Sequence, residues 1–436
     1  MVERVADAQS AGSADDAAGE ARLAGVSPAA VARDRLTTWM ALLDRPLTSY
    51  YLIIGITALL LGLGLVMVLS TSSVQDLAQG LPAYSDFKKQ LLGAAFGLPI
   101  MYFAARSSPR LFRAAAYPML GVSILGLGLT LIPAVGRSAY GASRWIAVGP
   151  LQLQPSEFAK LALVLWGADL LARKERLRQL EDWRHLLIPL LPGAGLLAML
   201  VMAGDDLGTT FVLLVIFITL LWVIGTPGRI FGGMLALMGI VMLLLAVTSA
   251  YRLKRLTGFV NPQGGPMGPN MQGIQGKYAV GSGGLFGVGL GASGEKWGYV
   301  PESTTDFIFA IIGEELGLVG TLCVCLLYGG LAFAGLRVAR RVQDTFSRLA
   351  AAAITAWIVM QAVVNIGAVI GVLPITGVPL PLVSAGLSSL LVTMIALGML
   401  MSFARREPGA REALAARGPA LPLRLLSWLG LTQRPE

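Results

Sequence analysis

The chain alternates between long apolar runs and short polar segments from about residue 50 to residue 404. Each run is about 20 residues long, the length of α-helix that crosses the hydrocarbon core of a bilayer. The runs cover residues 50–70, 89–105, 112–134, 156–172, 185–203, 207–225, 230–250, 306–335, 349–371 and 385–404. This pattern predicts an all-α polytopic membrane protein with about ten transmembrane helices.

The segments outside these runs predict three regions. Residues 1–47 are rich in Ala, Asp, Ser and Gly without apolar periodicity, which is typical of a disordered tail. The first apolar run is long, so it predicts a membrane anchor rather than a cleaved signal peptide. Residues 48–405 form the predicted membrane domain, and residues 406–436 form a basic C-terminal tail.

Two connections are too long to be simple turns, namely 135–155 and 251–305, the latter between spans 7 and 8. Connections of this length are usually functional or disordered. Neither has the high charge and low hydrophobicity of a disordered segment. We therefore expect both to be structured and to fold over one mouth of the bundle.

Composition agrees with a membrane protein, since 55% of the 436 residues are hydrophobic, only 14% are charged and the mean hydropathy is +0.70. Basic residues concentrate in the loops after spans 2, 4, 6 and 8. The short loops on the other side hold Lys88, Lys89, Arg137 and Arg144. Positive charge marks the cytoplasmic side, so both termini are predicted to be cytoplasmic and both long loops to lie outside. This distribution explains the net charge of +9 without a nucleic-acid partner.

Three acids fall on the eighth apolar run. Asp306 stands at its outer start, four residues after Glu302, where a carboxylate could simply complement the helix dipole. Glu314 and Glu315 are deeper, and unpaired carboxylates in a membrane are costly. We expect these two to be paired structurally within the bundle.

Basic and acidic side chains also stand near the outer ends of other spans. Arg144 and Trp145 form either an interfacial anchor or a clamp for a phosphate and a sugar face. Glu157 and Lys160 lie three residues apart on one helix face, where an ion pair is the simple explanation. The joint occurrence of such groups on several segments predicts a polar outer cavity for an amphiphile with a charged head.

The stretch GSGGLFGVGLGASG, residues 281–294, contains the spacing GxGxxG. It is not a strand-to-helix turn of a βαβ unit, so no nucleotide cofactor is expected. Glycines there could instead allow close backbone packing, or let amide groups approach an anionic ligand.

Three segments resemble the signatures of the SEDS family (shape, elongation, division and sporulation proteins). They are GASRWIAVGPLQLQPSEFAKLAL (141–163), YVPESTTDFIFAIIGEELGLVG (299–320) and ITGVPLPLVSAGLSSLL (375–391). The segment GVGLGASGEKWGYVPE is more similar to the division branch, the FtsW proteins, than to the elongation branch. The Ala-rich N-terminal tail is similar to that of actinobacterial members.

The resemblance implies a peptidoglycan glycosyltransferase in the cell membrane, acting at the division septum, that polymerises lipid II on the outer face. It also implies a class B penicillin-binding protein as partner, an FtsI-type transpeptidase, together with other division proteins. Asp306 matches the family's essential acid. Arg144, Trp145 and Lys160 match functional positions, and Ser384 is a further candidate for substrate binding.

The chain departs from the family pattern at two places. Thr304 stands where the family often has histidine, so no imidazole can assist Asp306. Leu387 replaces a glycine of the third signature, which puts close helix approach there in doubt.

Lipid II carries an α-linked pyrophosphate and its polymer is β-linked, so the implied reaction inverts the anomeric centre. One carboxylate acting as base is sufficient, and Asp306 is assigned as that base or as a metal ligand. Charge on the leaving group would be neutralised by Arg144, Lys160, Lys89 or Lys277, or by a divalent cation, Mg²⁺ or Mn²⁺. Glu302 and Glu157 are supporting candidates.

Two other functions remain open at this point. A lipid II flippase or transporter could use the same bundle, but it needs polar groups along the whole path across the membrane. A non-catalytic scaffold of the division machinery would not depend on Asp306.

Overall fold

The structure is a computed structural model that describes residues 46–78, 80, 82, 84–133, 135–139, 142–148, 151–177, 183–248, 253, 259, 271–297, 300 and 302–415. Most of the predicted tail 1–47, residues 416–436 and most of 251–270 lie outside the described residues. The predictions for these segments therefore stay predictions.

Every predicted span coincides with helix. The helices are α1 Thr48–Ala78, α2 Ser85–Arg106, α3 Pro109–Thr130, α4 Pro155–Arg176, α5 Trp183–Leu187, α6 Leu190–Ala203, α7 Leu207–Val223, α8 Gly228–Val247, α9 Met271–Ser282, α10 Ile308–Arg341, α11 Thr345–Val369, α12 Leu387–Ala404 and α13 Ala410–Ala415. Among the described residues, seven helical stretches are long and apolar enough to cross a membrane, with α7 a shorter apolar helix. A multispan helical membrane protein is thus confirmed, whereas the number of ten spans is not.

Charge content explains why α2 and α4 fall outside those seven. Both carry several charged residues, and α4 is buried along almost its entire length. Helices α11 and α12 are also central, with 72% and 78% of their apolar windows buried, whereas α8 is peripheral with none. A helix shielded by protein can carry charge that a lipid-facing helix cannot.

The connection 135–155 contains a small antiparallel sheet that the sequence analysis did not predict. Its strands are β1 Gly136–Ala139, β2 Ala142–Val148 and β3 Leu151–Leu153, in the order β1-β2-β3. A register shift between Arg137 and Ser138 interrupts the β1–β2 pairing. Strands of three to seven residues are too short to show a clear period of two.

Helix α10 is broken at Gly317, which has φ 67° and ψ −161°. Unbroken, its 34 residues would span about 51 Å, well beyond a hydrocarbon core of about 30 Å. The part after the break, 318–341, is long enough to span alone. Glu314 and Glu315 therefore lie before the spanning part, not inside it as the predicted span 306–335 implied.

Candidate active site

The polar residues of interest gather at one end of the bundle. Helices α4, α7, α10 and α12 begin at this end, and α11 ends there. The central feature is the turn 302–307, which precedes α10 and packs against the loop 370–386 between α11 and α12.

Asp306 is half-buried in this turn, between the fully buried Thr304 and Phe307. The turn closes on Glu302, whose carbonyl accepts hydrogen bonds from the backbone N–H groups of Thr305 and Phe307, both at 3.1 Å. Glu302 adopts a left-handed conformation with φ 58°, which is uncommon outside glycine. Its carboxylate accepts a hydrogen bond from the Thr305 hydroxyl at 2.7 Å. Glu302 therefore shapes the turn that presents Asp306.

Three successive carbonyl oxygens of the turn, those of residues 304, 305 and 306, each accept a hydrogen bond from another segment. The donors, in that order, are the Ala385 N–H at 2.9 Å, the Ser384 hydroxyl at 2.6 Å and the Asn365 side-chain amide at 2.7 Å. Backbone groups held in this way leave the peptide around Asp306 little freedom. Ser384, predicted to bind substrate, thus lies against the turn and orients it.

Amide side chains hold the loop 370–386 in place. The Asn365 amide also donates to the Val378 carbonyl at 2.8 Å. Gln90 of α2 donates to the Ser384 carbonyl at 3.1 Å and accepts from the Gly386 N–H at 3.2 Å. The loop is therefore fixed from both α11 and α2.

Lys160 supports the same loop from α4. Its ammonium lies 2.7 Å from a Glu157 carboxylate oxygen and 3.0 Å from the Gln361 side-chain oxygen, and it faces the Trp357 ring at 5.1 Å. Gln361 in turn donates to the Pro379 carbonyl at 2.9 Å. Lys160 and Glu157 are each about 1% exposed, so both act from inside the protein.

Arg144 and Trp145 lie on β2 and are partly buried. Arg144 donates to the Asp205 carbonyl and lies 3.9 Å from the Asp206 carboxylate. Asp206 caps α7 by accepting from the Thr209 N–H at 3.0 Å. Arg144 is therefore held by the turn between α6 and α7. Its side chain remains 24% exposed at this end of the bundle.

Lys89 and Lys277 are the exposed candidates among the predicted cations. Lys89 pairs with Asp86 at 2.9 Å in the first turn of α2. Lys277 follows Gly276, which packs against the Phe307 ring next to Asp306, and its side chain lies near Gly371. Both lysines thus lie at the same end of the bundle as Asp306.

The amides Gln90, Gln361 and Asn365 were missed by the sequence analysis. All three are buried within apolar helices. An amide in an apolar run must find a protein partner, because lipid offers none. A single amide residue within an apolar run was therefore the feature of the sequence that could have identified them, although it does not show which residue is the partner.

Glu315 is paired with a cation and Glu314 accepts hydrogen bonds within the protein, which confirms the structural role expected for them. Glu315 lies 3.2 Å from the Lys296 ammonium and accepts a hydrogen bond from the Ser70 hydroxyl at 2.7 Å. Glu314 accepts from the Ser293 hydroxyl and from the Gly294 N–H at 2.8 Å. Burial and the nearby Glu314 charge raise the pKa of Glu295.

No group of three or more His, Cys, Asp or Glu side chains that could hold a metal ion occurs within the described ranges. The residues around Asp306 thus do not form a complete protein-only cation site. The divalent cation remains a prediction, and no chemical step below depends on it.

An apolar groove of about 530 Å³ lies between α6, α7 and α8. Its lining includes Met202, Phe217 and Leu245. Thr210, another lining residue, donates its hydroxyl to the Asp206 carbonyl at 2.8 Å. The groove therefore extends to the turn that Arg144 contacts.

Comparison with known proteins identifies the family. The sequence model of the protein family FtsW, RodA and SpoVE, described as cell cycle proteins, matches residues 50–408. The chain is 43% identical over 384 residues to the probable peptidoglycan glycosyltransferase FtsW of Mycobacterium tuberculosis, covering 88% of this chain and 72% of that one. It is 38% identical to the stage V sporulation protein E of Bacillus subtilis, covering 81% and 96%.

Solved structures also match the chain. The crystal structure of the Thermus thermophilus rod shape determining protein RodA matches with a TM-score of 0.60 and 28% identity, covering 81% of this chain and 96% of that one. A chain from a peptidoglycan synthase complex matches with a TM-score of 0.66 and 29% identity, again over 81% and 96%. The resemblance to the SEDS family is confirmed, and the mycobacterial relative agrees with the actinobacterial resemblance. The chain therefore belongs to the family of FtsW, RodA and SpoVE cell cycle proteins.

Proposed function

We propose that this protein is a peptidoglycan glycosyltransferase of the division branch, which polymerises lipid II at the outer membrane face. The observation that carries the proposal is the half-buried Asp306 on a turn held by three carbonyl hydrogen bonds at the polar end of the bundle. A rigidly held carboxylate is what a displacement at a sugar carbon requires of a general base. The FtsW relatives are named as probable peptidoglycan glycosyltransferases, which supports the same reaction.

In the proposed reaction, the acceptor sugar hydroxyl attacks the anomeric carbon of the lipid-linked donor. Its proton passes to the Asp306 carboxylate as the new C–O bond forms. The bond from the anomeric carbon to the pyrophosphate oxygen breaks with inversion, and the electron pair leaves with the pyrophosphate. One base and charge stabilisation of the leaving group are sufficient.

Cations at this end are proposed to face the pyrophosphate. Arg144, Lys89 and Lys277 keep exposed surface there. Lys160 is buried and reaches the loop through Gln361, so its proposed role is to position the loop. Trp145, Glu302 and Ser384 remain candidates for shaping the substrate site.

The apolar groove between α6, α7 and α8 is proposed to hold part of the polyprenyl chain of lipid II. Its lining is almost entirely apolar, and the lining residue Thr210 is hydrogen-bonded to the turn that Arg144 contacts. A lipid-linked sugar pyrophosphate has this combination of a long apolar tail and an anionic head.

The flippase alternative has less support. On α4, residues 161–168 between Lys160 and Asp169 are apolar and buried. Asp169 is itself paired with Arg113 and Arg173, each at 2.7 Å. Along this central helix the polar groups of the two ends are thus separated by about two turns of apolar packing.

A class B penicillin-binding protein is the proposed partner, with septal localisation and cytoplasmic termini. The related chain from a peptidoglycan synthase complex, described as coordinating polymerisation and crosslinking, supports such a partner.

The test is lipid II polymerisation by the purified protein, with and without its transpeptidase partner. Wild type is expected to form glycan strands on a product gel, and Asp306→Asn is expected to lose at least about 100-fold in rate, as a removed general base does. Glu412→Gln, which removes an exposed carboxylate from α13, is the matched control and should retain activity.

Full activity in a folded Asp306→Asn protein would overturn the assignment of the base. Absence of strands from wild type with bound partner would instead favour the flippase or the scaffold.

A further inference from the structure

The glycine-rich segment 283–291, called the glycine clasp below, closes the break in α10. We propose that the glycine clasp is inserted into the lipid leaflet at the active-site end, with its side chains among the acyl chains. It would then be a re-entrant membrane segment and not part of a water-exposed outer loop. This inference does not depend on the proposed activity.

The clasp and the break in α10 exchange backbone hydrogen bonds. In an unbroken helix, the N–H groups of residues 318 and 319 would donate to the carbonyls of residues 314 and 315. Here those carbonyls accept from Val288 at 2.9 Å and from Gly289 at 3.2 Å. The freed N–H groups of Leu318 and Val319 donate to the carbonyls of residues 284 and 285, at 2.9 and 3.2 Å.

At the break, this exchange meets the condition for irregular backbone at membrane depth, which is tolerated only where protein satisfies its polar groups. Glycine allows the close approach. A Cβ on Gly283 would lie 1.9 Å from the Gly313 carbonyl oxygen, and one on Gly287 would lie 2.1 Å from that of Glu315. The glycines thus pack backbone on backbone.

The outer surface of the clasp is apolar. Leu285, Phe286, Val288 and Leu290 are all exposed, Phe286 at 81%. No charged residue occurs between Lys277 and Glu295. A cluster of this kind facing water would be unusual for a soluble surface. Backbone hydrogen bonds join the clasp to the start of the exposed apolar residues that follow the break in α10, among them Leu318, Val319 and Leu322.

Exposed aromatic residues flank the clasp. Tyr278 before the clasp and Trp297 after it are exposed, at 58% and 69%. Tyr and Trp favour the headgroup level of a bilayer. On the protein side, the Lys296 ammonium donates to the Gly291 carbonyl at 2.6 Å and pairs with Glu315. The clasp thereby separates this buried ion pair from lipid and ties the chain leading to Asp306 to the membrane.

The test is site-directed spin labelling of the full chain in vesicles of phosphatidylethanolamine and phosphatidylglycerol. In a Cys323→Ser, Cys325→Ser background, a nitroxide is attached at Phe286→Cys, or at Leu285→Cys if the first variant does not fold. Collisions with oxygen, which partitions into lipid, are compared with collisions with a water-soluble nickel chelate. Leu326→Cys, on the spanning part of α10, is the lipid reference, and Glu412→Cys is the aqueous reference.

A label on the clasp is expected to collide preferentially with oxygen. Its ratio of oxygen collisions to nickel-chelate collisions should be near the ratio measured at position 326. A ratio near that at position 412 would show a water-exposed loop and overturn the proposal. Low accessibility to both reagents would show that protein covers the segment, and would overturn it as well.

Discussion

The conformation at Asp306 is set by the backbone behind it. The carbonyls of residues 304, 305 and 306 are bonded to donors from α11 and from the loop that precedes α12. Among these donors Asn365 has a double role, since one side-chain amide serves both the Asp306 and the Val378 carbonyls. A single side chain therefore connects the turn to the loop.

Asn365→Leu removes both bonds and leaves two carbonyls without this donor. If the proposed function holds, we expect kcat for lipid II polymerisation to fall at least about tenfold while KM changes little, because the acid is displaced and the binding cations are not. The measurement is steady-state kinetics together with thermal unfolding in detergent.

Ser402→Ala is the matched control, because the Ser402 hydroxyl donates to the Ser107 carbonyl at 2.7 Å at the opposite end of the bundle. It should cost stability without lowering kcat. A similar loss of stability in both variants with kcat unchanged in Asn365→Leu would leave Asn365 a purely structural residue.

The buried ion pair Lys296–Glu315 is expected to contribute to the stability of the protein. The two side chains are 4% and 0% exposed. Lys296→Met is expected to destabilise the protein by about 3–5 kcal/mol, because it leaves a buried carboxylate without its cation. Thermal unfolding of the purified protein measures the effect.

Two further variants sharpen this experiment. Lys296→Met combined with Glu315→Gln should recover much of the loss, since no uncompensated charge remains. Lys89→Met, which breaks an exposed pair, should cost no more than about 1 kcal/mol. Equal losses in both lysine variants would contradict the interpretation of the buried pair.

At the scale of elements, the main feature is a helix that stops being regular where another segment takes over its hydrogen bonds. Gly317 permits the break, because its φ of 67° is unfavourable for residues with a side chain. The glycine clasp then supplies the missing donors and acceptors. Broken helix and clasp form one structural unit that neither segment could form alone.

Two neighbouring glycines test this unit. Gly283→Ala places a methyl group against the backbone of residues 313 and 314, whereas Gly281→Ala meets no atom within 4 Å. We expect Gly283→Ala to destabilise by about 1–3 kcal/mol, as overpacking does. Gly281→Ala, inside α9, should leave stability unchanged or slightly higher. Unfolding temperatures that do not distinguish the two would argue against close packing of the clasp.

At the scale of the whole molecule, the two ends of the bundle differ in character. The end with Asp306 carries amide networks, a small sheet and the glycine clasp. The opposite end carries the arginines of α3, α4, α10 and α11, several of them paired with Asp169 or with Glu175. Because positive charge marks the cytoplasmic side, the arginine-rich end is predicted to face the cytoplasm and the Asp306 end to face outward.

Orientation can be tested by labelling single cysteines in cells with a membrane-impermeant maleimide. In the Cys323→Ser, Cys325→Ser background, Lys89→Cys should react in intact cells and Glu412→Cys only after permeabilisation. Both positions are exposed, so reactivity reports their side of the membrane. The reverse pattern would invert the topology and place Asp306 inside the cell.

Much of this organisation follows from local features of the sequence. The apolar runs coincide with helices because a bilayer-spanning helix needs only a continuous apolar stretch of sufficient length. Glu314 and Glu315 were expected to have partners within the protein, because an unpaired charge there is too costly. In the structure Glu315 pairs with Lys296, and Glu314 accepts a hydrogen bond from the Gly294 N–H. The strands of residues 136–153 were not predicted, because such short segments carry little periodic signal.

By itself, the sequence determined the class of protein, the positions of the helices, the family and the choice of Asp306 as the candidate base. These depend on local composition and on short motifs. Only the tertiary structure decided that Lys160 is buried behind the loop, that Asn365 and Gln90 hold that loop, and that α10 exchanges hydrogen bonds with the glycine clasp. Those contacts join residues up to nearly 300 positions apart, and the packing of helices, not the local chain, selects such partners.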